Sequence, residues 1–600
     1  VSLSSRTSLS SAALAVLLGA GLAIAGSPSA TANSPAQPVP NQVTDLETRG
    51  NKPQAANQSA AAGNRAYFVI TAPADVAAGK TAVTGNGGTV FASYDPIGVI
   101  VAHSTAADFA TKVRAVAGVQ QVGATRTTDV PAAAANPAIP PSPSQTTPTA
   151  NEISRYDMVN IGADKAWDVN QGSAAVTVGV LDTGVDDQHY DLKANFDAGK
   201  SASCAYGKLD TREGAWRPVG DHGTHVAGTI AAAKNGKGAI GVAPGVKVSS
   251  VRIAENPSGL FFPENTVCAF VFAGDKGIKV TNNSYYTDPW LFNCPSDRDQ
   301  AAILEGVKRA AAYAEGKGVL NVAAAGNENY NLAGKSTDNT SPDDSTPVNR
   351  TVTNDCLSLP TELPGVVVVS ALTSSNGKSS YSNFGTNKVH IAAPGDSVYS
   401  TVPGGGYGQK SGTSMASPHV AGVAALLASV NPSATVADLR GKLAAQAEDQ
   451  ACPSDSRCTG GTTKNSFYGE GRVDALEAVN GTTPPGGKTF TNDTNVDIPD
   501  AGAAVTSSVV VTGITGNAPS TLKVGVDIKH PYRGDLVIDL VAPDGTTYRL
   551  KNSSGDSADN VITTFPVDAS SEVANGTWKL KVQDVASADV GYIDTWSLTF

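Results

Sequence analysis

The feature that most restricts the fold is the run Ser411-Gly412-Thr413-Ser414-Met415-Ala416-Ser417-Pro418-His419-Val420-Ala421-Gly422, continuous with the apolar segment Val423 to Val430. It is apolar or small on nearly every side. A helix built from it has no face to give to water and belongs at the centre of a large domain. A glycine-bearing turn leads into it, which puts Ser414 at the helix N-terminus. There, unpaired N–H groups and the positive dipole end favour a developing negative charge. Pro418 is expected in the first turn, where its missing N–H costs little.

Serine is a favoured helix cap, and an isolated Gly-Thr-Ser carries no more meaning than that. Two further blocks give it company. Val178-Gly179-Val180-Leu181-Asp182-Thr183-Gly184 reads as a buried strand ending in an acid. Asp221-His222-Gly223-Thr224-His225-Val226-Ala227-Gly228 reads as a turn entering a second helix of small residues. Asp, His and Ser in that chain order differ from the chymotrypsin and α/β-hydrolase orders. Together the three blocks resemble the subtilisin-like serine proteases.

That resemblance implies a division of labour. A serine hydroxyl is a poor nucleophile at neutral pH unless a base takes its proton. His222 is the implied base and later the acid for the leaving amine; Asp182 holds the imidazole tautomer and its charged form. His225, three residues on, is expected to be structural, as are His189 and His419. In Ala323-Ala324-Ala325-Gly326-Asn327-Glu328 a strand gives way to small residues and an amide. By resemblance Asn327 and the backbone N–H of Ser414 donate to the oxyanion. Ala324, Ala325 and Gly326, with Ser284, Tyr285 and Tyr286, fall where family members bind substrate. In Asn282-Asn283-Ser284-Tyr285-Tyr286 a tyrosine replaces the expected glycine, which puts a side chain where substrate backbone approaches. The polar insertion Tyr330 to Asp355, read as a solvated loop, carries Asp343 and Asp344 close to the expected specificity pocket.

Between about Asn151 and Gly481, apolar runs (Val176 to Leu181, Val246 to Ile253, Ile278 to Val280, Val319 to Ala324, Val366 to Val369) alternate with helical signals such as Asp297 to Lys317. This is the pattern of a parallel sheet with helices on both faces. Trp167 is read as a core aromatic. The loop Ala233 to Pro244 resembles the family's calcium loop, with Asp191 and Asn235 as side-chain ligands. Structural calcium is therefore expected there, and no cofactor for catalysis. The six cysteines of a chain read as secreted imply disulfides. Cys452 and Cys458 are expected to pair locally. The other four allow three pairings, and sequence proximity favours Cys204 with Cys268 and Cys294 with Cys356.

Six hundred residues are too many for one core, so several units are expected. Residues 1–32, with Arg6 before the apolar run Ala12 to Ala25 and a small-residue site at Ala30-Thr31-Ala32, read as a secretory signal peptide. No later stretch is expected to span a bilayer, so release into the medium follows. Residues 33–63 are read as a disordered pro-segment. Residues 64–125 are read as a small α+β module of the kind that serves subtilisin relatives as folding aid and intramolecular inhibitor. Residues 126–150 form a Pro/Ala/Ser/Thr linker suited to processing, and residues 151–481 the α/β catalytic domain. After a 482–487 linker, residues 488–600 become all-β, with alternating runs and Asp-Gly and Asn-Gly turns that read as a sandwich or jelly roll. His530-Pro531-Tyr532-Arg533-Gly534-Asp535-Leu536 and Gly591-Tyr592-Ile593-Asp594-Thr595-Trp596 resemble the P domain of kexin-like proprotein convertases. The catalytic blocks resemble bacterial subtilisins instead, so dibasic specificity does not follow.

A net charge of −11 with no basic patch argues against nucleic-acid and anionic-membrane binding. Protein or peptide substrates and a monomeric state are expected. Two function classes stay open on sequence: a secreted endopeptidase made as a zymogen, and a non-catalytic binding protein on a protease scaffold. An esterase is a third reading.

Overall fold

The computed structural model describes residues 45–46, 63–148, 150–480, 489–514, 516–519 and 522–600. The signal-peptide segment and the 482–487 linker lie outside the described residues, as does the 33–63 segment except for Gly63 and Asp45–Leu46. Those two residues form a short strand parallel to Gly406–Ser411 rather than coil.

The sheet expected from the alternating runs is present as seven parallel strands. Their order is Ile391–Pro394, Val367–Leu372, Leu320–Ala324, Val280–Asn283, Thr177–Asp182, Lys247–Arg252 and Ala202–Ser203. The first of these strands in sequence, Thr177–Asp182, is fifth in that order, inside the sheet. The chain adds strands on one side of it and then crosses to the other, between Lys247–Arg252 and Val280–Asn283. A crevice opens at the carboxyl ends of strands where such a sheet reverses its order. Asp182 ends one strand bordering that switch point, and Ser284 follows the end of the other.

The Thr413–Val430 helix is buried from Thr413 to Ala428. Contrary to expectation, this later stretch is long and apolar enough to cross a membrane, but its apolar surface is spent inside the protein. It packs with the His222–Ala231 helix and the sheet in one core, where Val420, Val423 and Leu426 meet Val226, Ile230 and Val322. Pro418 is not in the first turn. It is the sixth residue of the helix, so the carbonyl four residues back, that of Ser414, lacks its usual N–H partner. The Ser284 hydroxyl donates to that carbonyl at 2.9 Å instead.

The opposite face of the sheet carries the Pro263–Asp275 and Arg298–Gly316 helices. Asp297 caps the second by accepting from the N–H groups of Asp299 and Gln300. Against these helices lies a four-stranded antiparallel sheet of Gly88–Tyr94, Val99–Ser104, Arg65–Thr71 and Val119–Ala124, in that order. Its Phe68, Ile70, Val99 and Val101 share a core with Val267, Phe270, Ile303 and Val307. Close approach needs glycine here: a Cβ on Gly123 would sit 2.6 Å from the Asp299 Cα.

Residues beyond 488 form two antiparallel sheets. Thr489–Asn492, Gly591–Thr599, Leu522–Lys529 and Val561–Val567 make one, with Val496–Ile498 also pairing to Gly591–Thr599. Val505–Val511, Gly576–Asp584, Leu536–Val541 and Thr547–Lys551 make the other. Alternation buries Val524, Ile528, Leu540 and Leu580 between them, around Trp578 and Trp596.

Candidate active site

Asp182, the final residue of its strand, is fully buried, and His222 opens the facing helix. The His222 Nδ1 lies 2.8 Å and 2.9 Å from the two carboxylate oxygens of Asp182. The helix comes this near because residue 223 is glycine: a Cβ there would stand 2.5 Å from the Gly184 carbonyl and 3.1 Å from the Asp182 Cβ. The N–H of Thr183 also donates to Asp182 Oδ1, at 2.6 Å, which fixes the carboxylate plane.

Asp182 supports His222 from below. His222, Ser414 and Asn327 border one cleft of about 620 Å³. Ser414 is the second residue of its helix, and its hydroxyl donates to the Ser284 carbonyl at 3.3 Å. The reciprocal bond from Ser284 described above ties the two serines together. Behind Ser284, Asn282 Nδ2 donates to its hydroxyl oxygen at 2.8 Å, and the Ser417 hydroxyl donates to Asn282 Oδ1 at 2.7 Å. A buried polar chain thus joins the Val280–Asn283 strand to the helix start.

Asn327 Oδ1 accepts from both the N–H and the hydroxyl of Thr413, each at 2.8 Å. With its oxygen engaged there, the amide nitrogen is turned the other way. The preceding Gly326 has φ near +103°, and a Cβ on it would lie 2.3 Å from Asn383 Nδ2. Asn383 itself donates to the Ala325 carbonyl at 2.9 Å and accepts from the N–H groups of Glu328 and Tyr330. Thr413 and Asn383 as positioning groups are absent from the sequence reading. Thr413 stands in a quoted motif, whereas nothing local marks Asn383.

Of the expected substrate residues, Ser284, Tyr285, Tyr286, Ala324 and Gly326 line the cleft. Ala325 does not; it is buried with Val368 and Val389, because successive residues leaving a strand point to opposite faces. The wall facing Tyr285 comes from Pro257, Gly259 and Phe261, with the Phe261 and Tyr285 rings 5.1 Å apart. The 330–355 insertion is not a solvated loop around its acids. Asp343 accepts from the Tyr286 hydroxyl at 2.6 Å, and Asp344 accepts from the N–H of Thr127 at 2.7 Å.

His225 Nε2 donates to the Val398 and Gly408 carbonyls and is wholly buried, so burial lowers its pKa well below the usual range. His419 bridges the Met415 carbonyl and Asp157. His189 meets the Gly406 carbonyl. All three fill structural places. Trp167 is half-buried against the core and donates to the Val242 carbonyl at 3.1 Å.

The calcium expectation meets an unsuitable donor set. Asp191 is surrounded by hydrogen-bond donors: Asn235 Nδ2 at 3.0 Å, the Ala239 N–H at 2.9 Å and the Tyr407 hydroxyl at 2.7 Å. Asn235 Oδ1, the oxygen a cation would need, accepts from the Lys237 N–H at 3.1 Å. Among the described residues no group of three or more His, Cys, Asp or Glu is placed to hold a metal ion. Calcium prefers a cage of oxygens, and the side-chain oxygens of Asp191 and Asn235 are engaged by N–H and hydroxyl donors instead.

All six cysteines are paired, Cys204–Cys268, Cys294–Cys356 and Cys452–Cys458, as sequence proximity favours. The second bridge anchors the insertion beside Leu291, a cleft residue.

The subtilase family model matches residues 173–471, and the proprotein convertase P-domain model matches residues 519–600. The extracellular basic protease of Dichelobacter nodosus is 31% identical over 491 residues, covering 73% of this chain and 75% of that protein. The chain belongs to the subtilase family. As a subtilase it carries a P domain at its C-terminal side, consistent with the two antiparallel sheets there. Leupeptin-inactivating enzyme 1 of Streptomyces exfoliatus is 60% identical over 121 residues, but that is 20% of this chain and only 28% of the relative's length. Among solved structures, the epidermin leader peptide processing serine protease of Staphylococcus aureus superposes with a TM-score of 0.54 at 21% identity. The match covers 70% of this chain and 99% of that one, a likeness of fold.

Proposed function

We propose that this subtilase is a secreted serine endopeptidase, made as a zymogen whose residues 64–125 act as a removable propeptide. The observation that carries the reading is the Asp182–His222 pair at hydrogen-bonding distance on the cleft that Ser414 and Asn327 also border. Ser414 Oγ attacks the scissile carbonyl carbon while His222 Nε2 takes its proton. Asp182 keeps the other ring nitrogen protonated and stabilises the imidazolium. The oxyanion is met by Asn327 Nδ2 and the Ser414 N–H, the latter aided by the helix N-terminus. Collapse expels the amine, which leaves with the proton from His222. Water, deprotonated by the same imidazole, then hydrolyses the acyl-enzyme and restores the serine.

Maturation fits the docking of the N-terminal module. It packs on two catalytic-domain helices through an apolar face and a few polar ties, such as Arg309 to the Thr71 carbonyl at 2.6 Å. The cleft lining comes from residues between Thr183 and Ser414, none of them from the N-terminal module. Extracellular relatives support secretion. Expression of Ser414→Ala is the test. The variant is expected to accumulate as uncut chain retaining residues 64–125, and a fluorophosphonate probe is expected to label the parent alone. Normal maturation of Ser414→Ala in a protease-free host would refute self-processing, and labelling that survives the substitution would refute the nucleophile.

A further inference from the structure

The 126–150 linker changes partners part-way along. Up to Val130 it belongs to the N-terminal module. The Val130 N–H donates to the Asn64 carbonyl at 2.8 Å, and Asp129 accepts from the Gly63 N–H at 2.9 Å and pairs with Arg65 at 3.0 Å. Arg126 and Thr127 also reach Glu255 and Asp344, which docks this end of the module on the catalytic domain without freeing it from the module. From Pro137 onward the partners are those of the catalytic domain alone. Arg212 Nη2 donates to the Pro137 carbonyl at 2.9 Å, and Pro140 and Pro141 border a small cavity with Val219 and Arg252. Gln145 Nε2 donates to Asp186 at 2.8 Å, and the Thr146 N–H to the Gly404 carbonyl at 3.0 Å.

Between the two halves lies a single short turn, Ala132–Ala135, followed by Asn136. Its backbone bonds are local: the Ala134 N–H donates to the Pro131 carbonyl at 3.0 Å, and the Asn136 N–H to the Ala133 carbonyl at 3.2 Å. Ala132, Ala133, Ala135 and Asn136 are exposed, and Ala134 alone is buried, beside Val130 and Tyr206. Exposed turns of small residues are where chains are most readily nicked, because little has to break before the segment can extend into a protease. The sequence around the turn narrows the choice. Pro131, Pro137, Pro140, Pro141, Pro143 and Pro148 interrupt the linker, and proline brings a fixed φ and no N–H to an extended substrate. Residues 132–136 offer four successive bonds without a proline nitrogen. The other exposed stretch free of proline, 144–147, is pinned by Gln145 and Thr146. Alanine methyl groups also ask for little room in a cleft that Tyr285 and Tyr286 line.

We propose that maturation cuts one of the bonds between Ala132 and Asn136, and that residues from Pro137 onward stay on the processed enzyme as a docked arm. The cut is a hydrolysis. Water adds across an Ala–Ala or Ala–Asn amide, whose C–N bond breaks to leave a carboxylate on the upstream alanine and an amine on the downstream residue. The proposal rests on the endopeptidase reading only for which enzyme makes the cut. The arm has reason to remain. Asp186 is fully buried and accepts from the Gly404 N–H at 2.8 Å, the Gln188 N–H at 3.1 Å and Gln145, so loss of the arm would strip a donor from a buried carboxylate. The arm also backs the active site, because Val219 borders both its cavity and the cleft.

The test is made on purified full-length Ser414→Ala chain mixed with a trace of processed parent. The fragment that holds the catalytic domain is read by intact mass and N-terminal sequencing. Its first residue is expected to be Ala133, Ala134, Ala135 or Asn136. A first residue at 132 or earlier, or at 137 or later, overturns the assignment. Ala133→Pro combined with Ala135→Pro, both at exposed positions, is expected to slow release about tenfold or more, the scale of one lost backbone hydrogen bond to the protease. The melting temperature is expected to stay unchanged, and release at the parent rate overturns the proposal. If that variant does not fold, the sequencing decides. Pancreatic elastase, whose specificity pocket is small, gives a readout that does not depend on this chain's own activity. On Ser414→Ala its first cut between residues 63 and 480 is expected in the same window. If the parent cuts nothing while elastase cuts there, the endopeptidase reading falls and the processing window stands. If the first elastase cut in that range lies elsewhere, the window falls.

Discussion

The reciprocal bonds between Ser284 and Ser414 lead to a quantitative expectation. Pro418 deprives the Ser414 carbonyl of the donor that any other residue would supply four positions on, and the Ser284 hydroxyl replaces it at 2.9 Å. Ser284→Ala removes that donor from a buried acceptor and also leaves Asn282 Nδ2 without its 2.8 Å partner. An unmet buried polar group costs about 1–3 kcal/mol, so we expect about 2 kcal/mol of lost stability. Pro418→Ala restores an N–H to the helix, after which the carbonyl no longer depends on Ser284. The two substitutions are thus expected to couple by about 1 kcal/mol, the carbonyl's share of the loss. The assay is a double-mutant cycle in a Ser414→Ala background, which keeps the backbone carbonyl and prevents self-digestion, read by urea unfolding and calorimetry. Additivity to within about 0.3 kcal/mol would show that the serine does not stand in for the missing helix donor, and the explanation of how proline is tolerated at this position would fail.

Further expectations follow from other parts of the molecule. Asn327→Ala is expected to lower kcat by about 10²–10³ with a smaller change in KM, the scale found for the corresponding amide of subtilisin; equal turnover would remove Asn327 from the oxyanion site. Gly123→Ala would put a Cβ 2.6 Å from the Asp299 Cα and 2.7 Å from its carbonyl oxygen, where backbone cannot yield. It is expected to weaken docking of the N-terminal module by about 1–3 kcal/mol, read as faster cutting of the 126–150 linker by added trypsin. His103 is largely buried on Phe91, and burial, with Arg126 against it and Glu264 for it, brings its pKa down to about 4. The unfolded chain, titrating near 6.5, binds more protons between those values. Its contribution to stability is therefore full above about pH 6.5 and falls away as the pH drops toward 4. His103→Gln is expected to flatten that part of the melting-temperature profile, and an unchanged profile would refute the assignment.

How much of this was legible depended on the range of the interaction. Strands such as Leu320–Ala324 and Val367–Leu372 announce themselves as apolar runs because both faces of the sheet are covered. The buried helix announces itself by having no polar face. The Pro263–Asp275 helix escaped because Cys, Phe, Thr and Asn are packed all round it, and the Val76–Gly85 helix because Gly, Thr and Ala give it little contrast between faces. Ala202–Ser203 and Ile391–Pro394 are too short to stand out from their loops. In the P-domain strands Thr547–Lys551 and Val561–Val567 only Val561 and Val567 are buried, so no buried-exposed alternation marks them.

Within the site, residue types and order revealed which groups gather, whereas the groups that aim them did not show. Asp182 to His222 spans 40 residues, and both ends lie in motifs with a recognisable chemistry. Ser284 to Ser414 spans 130 residues, and Asn383 to Ala325 spans 58, with a serine and an asparagine that would look the same in any turn. The misreading of Pro418 has the same origin. A proline near a helix start is harmless on local rules, and only the arrival of a hydroxyl from another strand makes it harmless one turn further in. The helix boundary therefore cannot be settled without the tertiary partner that satisfies it. Replacing Ser284 should consequently disturb the Ser414 end of the helix before it disturbs the sheet. Faster hydrogen exchange at residues 413–417 than along Val280–Asn283 in Ser284→Ala would support that order, and the reverse ranking would count against it.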